Sequence, residues 1–183
     1  MKPDYAEAQS NLGITLQELG RLEEAEASYT RAIALRPNLT EAHSNFGIIL
    51  QEAGRLEEAE ASHMHAITLR PDLAEAYNSM GNTLNELGVL EEAKARYIQA
   101  ITLKPDYAEA HFNLGVTLKE LGRLEEAEAS YNQALALRSN YVEAHFSLGV
   151  ALKELGRLEE AEASHRQAII LKPTYAEAHS NLG

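Results

Sequence analysis

The ten-residue segment LGRLEEAEAS begins at Leu19, recurs unchanged at Leu121 and Leu155, and recurs with one substitution at Ala53. These starting points are separated by multiples of 34 residues. A repeat of this length is typical of solenoids, in which each helix–turn–helix unit buries its apolar face against its neighbours. The period predicts five full units and an incomplete sixth, at residues 6–39, 40–73, 74–107, 108–141, 142–175 and 176–183.

Each unit carries start and stop signals for two helices. A proline near the end of most units blocks continuation of the second helix, and the polar residue after it, such as Asn38, is a candidate N-cap. Glu41 follows three residues later, which matches a capping box. A glycine near the middle of each unit is expected to end the first helix in a left-handed conformation. One unit has Ser139 in place of the proline, and that turn is expected to be looser.

Small residues recur where helices are expected to pack closely. The rows are Gly13, Gly47, Gly81, Gly115 and Gly149 on the first helix, and Ala25, Ala59, Ala93, Ala127 and Ala161 on the second. The combination of Leu12-Gly13, Ala25, Tyr29, Ala32 and Pro37 resembles the tetratricopeptide-repeat (TPR) motif, and its equivalents follow along the chain. The resemblance implies an all-α, right-handed superhelix of antiparallel helix pairs, with residues 1–183 as one solenoid domain.

A narrower resemblance concerns the segments AHSNFG at Ala42 and AHSNLG at Ala178. They are similar to repeats of O-linked N-acetylglucosamine transferases and of related bacterial TPR arrays. One departure from the TPR pattern is that the usual aromatic residue of the first helix is retained only as Tyr77, with glutamine or histidine in the equivalent places.

Composition narrows the classes of partner. The formal net charge is -12, with a pI near 5.0, which argues against nucleic acid and anionic membranes as ligands. There is no cysteine, so disulfides and thiolate chemistry are excluded. No apolar run approaches the roughly 20 residues needed to span a bilayer, and the N-terminal residues lack the apolar core of a signal peptide. The default expectation is therefore a cytoplasmic protein.

The TPR resemblance implies that the first helices line a concave groove. Binding is expected at first-helix residues that face neither neighbouring helix, which in the first unit are Ser10, Asn11, Ile14, Gln17 and Glu18. The row of Asn11 continues as Asn45, Asn113 and Asn181, with serine at two places. An asparagine amide both donates and accepts, so such a ladder can hold a peptide main chain, as a comparable ladder does in the transferases. The alternative is that these asparagines only suit a polar helix surface or bond to a neighbouring repeat.

The row that begins with Ser10 changes character toward the C-terminus, where Phe112 and Phe146 replace smaller polar residues. Two interpretations are open for these rings: anchors for a partner side chain, or packing against an adjoining helix. The complete set of candidate peptide-binding residues is Asn11, Asn45, Asn78, Asn82, Phe112, Asn113, Val116, Lys119, Phe146, Val150 and Lys153.

No catalytic, cofactor or metal site is predicted. The first-turn glutamates are explained by the capping-box spacing. His43, His111, His145 and His179 recur once per repeat, which places them too far apart to share a zinc ion. His63 and His165 stand where other units have tyrosine, so they are expected to be semi-buried packing residues, and His65 is expected to point to a different face from His63.

Three functions follow from these observations. The leading one is a non-enzymatic protein–protein interaction module that binds an extended peptide or partner protein. The second is a scaffold that self-associates into homo-oligomers through exposed solenoid ends. The third is the substrate-recruiting arm of a larger glycosyltransferase-like enzyme.

Overall fold

A computed structural model of the chain describes residues 4–174, and within this part it contains ten α-helices and no strand. The helices are α1 (Asp4–Glu18), α2 (Leu22–Leu35), α3 (Thr40–Glu52), α4 (Leu56–Leu69), α5 (Ala74–Glu86), α6 (Leu90–Leu103), α7 (Ala108–Glu120), α8 (Leu124–Leu137), α9 (Val142–Glu154) and α10 (Leu158–Leu171). They form antiparallel pairs in an array of about five repeats, which confirms the predicted all-α class and the repeat length.

The chain divides into two compact units, Met1–Arg96 and Tyr97–Gly183. In the first unit α1 pairs with α2 and α3 with α4, and α2 packs on α3 as α4 packs on α5. The first helices α1, α3 and α5 also contact one another in sequence. In the second unit α7 pairs with α8 and α9 with α10, while α8 and α7 each contact α9. Within each unit, neighbouring repeats therefore bury surface against each other.

The turn inside each repeat is closed by its glycine, as predicted. Gly20 has a φ of 72°. Its N–H donates to the carbonyl of Gln17 (2.8 Å), and the N–H of Arg21 donates to the carbonyl of Leu16 (2.9 Å). This double closure is a Schellman motif, which requires the left-handed conformation that glycine adopts without strain. Gly54 (φ 73°) ends α3 with the same pair of bonds.

The prediction of a capping box is wrong for α3, α5, α7 and α9, whose N-cap residues make no side-chain capping bond. The N-cap of α3 is Leu39, one residue after Asn38, and it makes no side-chain capping bond. The extended conformation of Leu39 (φ -79°, ψ 92°) buries its apolar side chain in the core instead. Glu41 consequently lies in the first turn as an ion-pair partner, with its Oε1 3.0 Å from Nη1 of Arg70.

Ser139 does not change the turn in which it replaces proline. Arg138, just before it, has φ -139° and ψ 88°, and Arg36 in the first repeat has -141° and 90°. The following N-cap, Tyr141, is extended like Leu39. The expected loosening is therefore absent from the backbone.

Close helix packing depends on the small residues. Ala25, Ala59 and Ala127 are fully buried. A Cβ placed on Gly13 would lie 2.6 Å from the Tyr29 ring, which is closer than van der Waals contact allows. The first unit has a cluster of Leu16, Ala25, Tyr29 and Ile49. The second has a cluster of Leu118, Ala127, Tyr131, Leu148, Ala151, Leu152 and Ala161.

Arginines at the turns connect neighbouring repeats within each unit. Arg55 binds Glu58 of its own repeat and Glu26 of the preceding one, at 2.7 and 2.6 Å. Arg157 does the same with Glu160 and Glu128. Hydrogen bonds to the paired carboxylates raise the pKa of both arginines. Among residues 4–174, no helix is long and apolar enough to cross a bilayer.

Candidate peptide-binding surface

Asn11 lies at a polar cleft of about 390 Å³ in the first unit, and its side chain is exposed. The cleft is formed where α1 meets the turn between α2 and α3, and it is lined by Glu7, Ser10, Asn11, Arg36, Leu39 and Glu41. Arg36 Nη1 lies 2.6 Å from Glu7 Oε1, so this pair forms one wall. The cleft therefore offers an exposed amide beside charged groups of both signs.

The other members of the asparagine row are less accessible. Asn45 on α3 and Asn113 on α7 are half-buried. Asn181 lies outside the described residues. The sequence thus identifies equivalent positions, and their exposure differs from one repeat to the next.

The row that begins with Ser10 was expected to face neither neighbouring helix, and this expectation is wrong. Ser10, Ser44 and Asn78 are 5%, 8% and 3% exposed. These side chains lie on the side of each first helix that packs inside the unit. As a consequence Asn78, a candidate ligand residue, offers a peptide almost no surface. Asn82, one turn further along α5, is half-buried.

Gln17 was also expected to face away from its neighbours, but it bridges two first helices. Its Nε2 donates to Glu52 Oε1 on α3 at 2.8 Å. Gln51 Nε2 makes the equivalent bond to Glu86 Oε1 on α5. Both bonds join residues that are 35 positions apart, which is one more than the repeat length. The sequence pattern that could have predicted these bonds is a glutamine in one repeat and a glutamate 35 residues later. These bonds fix neighbouring first helices against each other at one end of the candidate surface.

Phe112 packs inside the second unit. Its ring centroid lies 4.9 Å from that of Tyr141 and 5.9 Å from that of Tyr131. The guanidinium carbon of Arg138 lies 3.5 Å from the Tyr141 centroid. Phe112 and Val116 both contact the core cluster of this unit. Phe112 is half-buried, and its contacts agree with the interpretation that the ring packs against neighbouring helices.

The remaining candidates lie on α7 and α9. The Phe146 ring is half-buried, 5.6 Å from the ring of His165. Lys119 and Val150 are half-buried, and Lys153 is exposed. Their role as ligand contacts stays a prediction.

The repeated histidines contact the turn that ends the preceding repeat. His43 Nε2 lies 2.8 Å from the carbonyl oxygen of Pro37, and His111 and His145 make the same contact with Pro105 (3.1 Å) and Ser139 (2.9 Å). Each imidazole therefore holds the turn that precedes its helix. His179 lies outside the described residues. Within residues 4–174 no group of three or more His, Cys, Asp or Glu side chains is arranged to hold a metal ion.

His63 and His165 are more deeply buried than predicted, at 0% and 2% exposure. Both ring nitrogens of His63 are buried without a hydrogen-bond partner in the described part of the chain. Burial lowers the pKa of His63 to about 4. It also lowers the pKa of His165, helped by the nearby charge of Lys153. Both rings are thus neutral packing residues near pH 7.

The chain resembles solved TPR structures over nearly its whole length. TTC0263, a thermophilic TPR protein of Thermus thermophilus, is 26% identical, with a TM-score of 0.79 over 97% of this chain and 96% of that one. YrrB, a TPR protein with an unusual peptide-binding site, is 22% identical, with a TM-score of 0.75 over 94% and 89%. MamA of Desulfovibrio magneticus RS-1 is 20% identical, with a TM-score of 0.81 over 94% and 98%. These likenesses support the fold.

No curated protein matches the chain. The family described as tetratricopeptide repeat matches residues 6–39, 40–73 and 142–175, and the family described as TPR repeat matches residues 81–122 and 117–156. These matches cover most of the sequence and agree with the predicted repeat boundaries at 6–39, 40–73 and 142–175. The chain therefore belongs to the tetratricopeptide-repeat family.

Proposed function

We propose that this chain is a protein-interaction module that binds an extended segment of a partner protein along its first helices. The observation that carries the proposal is the cleft beside α1, where the exposed amide of Asn11 stands next to the Glu7–Arg36 pair. An amide can donate to a main-chain carbonyl and accept from a main-chain N–H of the same peptide. This mode of binding fixes the course of the ligand while demanding little of its sequence.

Two further observations support this function. TPR arrays generally mediate protein or peptide binding, and YrrB, which shares the fold, has a peptide-binding site. The asparagine row also resembles the ladder in the repeats of O-linked N-acetylglucosamine transferases. The ring contacts of Phe112 give it a supporting role, in which it shapes the second unit's surface. The other candidate ligand contacts there remain Asn113, Val116, Lys119, Phe146, Val150 and Lys153.

The test uses a displayed library of random unstructured dodecapeptides, selected on the intact chain. Selected peptides are then titrated against the wild type and against the triple variant Asn11→Ala, Asn45→Ala, Asn113→Ala. Each lost amide–main-chain bond is expected to cost about 0.5–1.5 kcal/mol, so a peptide held by Asn11 and Asn45 of the first unit should bind the triple variant at least about fivefold more weakly.

Asn132→Ala is the matched control, because Asn132 is an exposed asparagine on a second helix. It should leave affinity unchanged. Equal affinity of the wild type and the triple variant for every selected peptide would remove the asparagine row from the binding site.

A further inference from the structure

The second repeat brings two imidazoles into contact. His43 on α3 and His65 on α4 have ring centroids 4.2 Å apart, with planes tilted by 48°. His43 is 9% exposed, whereas His65 lies at the surface. The pairing occurs in this repeat alone among the five full ones, because the position of His65 holds Arg31, Gln99, Gln133 and Gln167 elsewhere.

The hydrogen bond of His43 fixes which of its nitrogens is available. Nε2 lies 2.8 Å from the carbonyl oxygen of Pro37, and a carbonyl only accepts. In the neutral ring Nε2 therefore carries the hydrogen, and Nδ1 keeps its lone pair. Metal-ligating histidines are usually oriented in this way, with the other ring N–H donated to a carbonyl or carboxylate. Burial, together with the neighbouring His65, lowers the pKa of His43, so protons compete little for Nδ1 near pH 7.

We propose that His43 and His65 form a two-imidazole site for a divalent first-row transition metal ion, such as Ni²⁺ or Zn²⁺, that joins α3 to α4. Metal–nitrogen bonds of about 2.0–2.1 Å place the centroids of two imidazoles on adjacent coordination positions roughly 4.5–5 Å apart. The observed 4.2 Å is a few tenths of an ångström shorter. Rotation of the exposed His65 side chain supplies this adjustment. Water completes the coordination, so the ion exchanges readily and binds less tightly than in a structural zinc site.

The site is tested on untagged protein by calorimetric titration with NiCl₂ at pH 7.5. The variants His43→Gln and His65→Gln are expected to fold normally. Glutamine occurs at the equivalent of His43 in the first repeat, as Gln9, and at the equivalent of His65 in three other repeats. Removal of even an outer-shell partner of a metal ligand typically costs about 10–100-fold in affinity, so each variant should bind Ni²⁺ at least about tenfold more weakly. Binding should also weaken in acid, because protonated imidazole is not a ligand.

A gain-of-site variant is the sharper control. His111 makes the same carbonyl contact as His43, at 3.1 Å from Pro105, and the residue of its repeat that is equivalent to His65 is Gln133. Gln133→His should therefore create a second Ni²⁺ site of similar affinity, and Ni²⁺ is expected to raise the melting temperatures of both the wild type and this variant. The proposal is overturned if His65→Gln binds Ni²⁺ as tightly as the wild type, or if the wild type binds none at millimolar Ni²⁺.

Discussion

The imidazole of His63 lies against Gly47 so closely that a Cβ on the glycine would be 2.5 Å from His63 Cε1. The ring is fully buried and cannot move aside into solvent. Gly13 faces Tyr29, and Gly149 faces His165, in the same way. The absence of a side chain at this position therefore sets the spacing of the helix pair in each of these repeats.

We expect Gly47→Ala to destabilise the chain by about 1–3 kcal/mol, because overpacking against a rigid ring outweighs the higher helix propensity of alanine. Urea denaturation followed by circular dichroism measures the change. In a His63→Ala background the ring is gone, and Gly47→Ala should cost much less. An equal loss in both backgrounds would show that the ring does not set this spacing.

Acid should destabilise the first unit through His63. Its folded-state pKa of about 4 lies below the usual value of 6.5 in an unfolded chain. The unfolded state therefore binds the proton first, so this contribution to stability is complete above about pH 6.5 and falls as the pH drops toward 4. The loss approaches about 3 kcal/mol at full protonation.

His63→Tyr tests this pH dependence, because the equivalent positions in the first and fourth repeats hold the buried residues Tyr29 and Tyr131. The free energy of unfolding is measured from pH 7.5 to 4.5 for both proteins. The variant should lose less stability over this range, while its stability at pH 7.5 stays close to that of the wild type. Parallel pH profiles would rule out His63 as the titrating group.

The fold was predictable from local rules that every repeat obeys. The helix order follows from the 34-residue period and from the glycine that ends each first helix. The contacts of small residues follow from the repeated alanines and glycines on the packed helix faces. Exposure of polar residues was less predictable. Ser10 and Asn11 are adjacent, yet the first is buried and the second exposed, because successive residues on a helix point about 100° apart.

Contacts between repeats were also missed, for a related reason. The bond from Gln17 to Glu52 and the pair of Arg55 with Glu26 depend on how one helix pair stacks on the next. The helical period within one repeat carries no information about that stacking. The N-cap of α3 is Leu39 and not the predicted Asn38, because burial of the Leu39 side chain determines the backbone conformation at the start of the helix.

The third repeat lacks the turn arginine that forms an ion pair with the preceding repeat elsewhere, and a substitution can introduce it. Val89 stands where Arg55 and Arg157 stand in other repeats, and Glu60 stands 29 residues earlier, as Glu26 does before Arg55. Val89→Arg should bind Glu60 and raise the free energy of unfolding by about 0.2–1 kcal/mol at low salt. The gain should shrink in a Glu60→Gln background and in 1 M salt, where the Debye length is about 3 Å. If Val89→Arg raises the free energy of unfolding equally in the Glu60→Gln background, an ion pair with Glu60 is not the source of the stabilisation.

The two interpretations of Phe112 differ in what they predict for the free protein. The ring contacts Tyr141 and Tyr131 and packs on the core cluster of the second unit. Phe112→Ala should therefore destabilise the ligand-free chain by about 1–3 kcal/mol, less than the 3–5 kcal/mol typical of a fully buried phenylalanine. Phe112→Leu keeps most of the apolar volume and should cost under about 1.5 kcal/mol. If Phe112→Ala leaves the unfolding transition unchanged but weakens binding of the selected peptides, the ring acts as a ligand anchor and its core contacts contribute little.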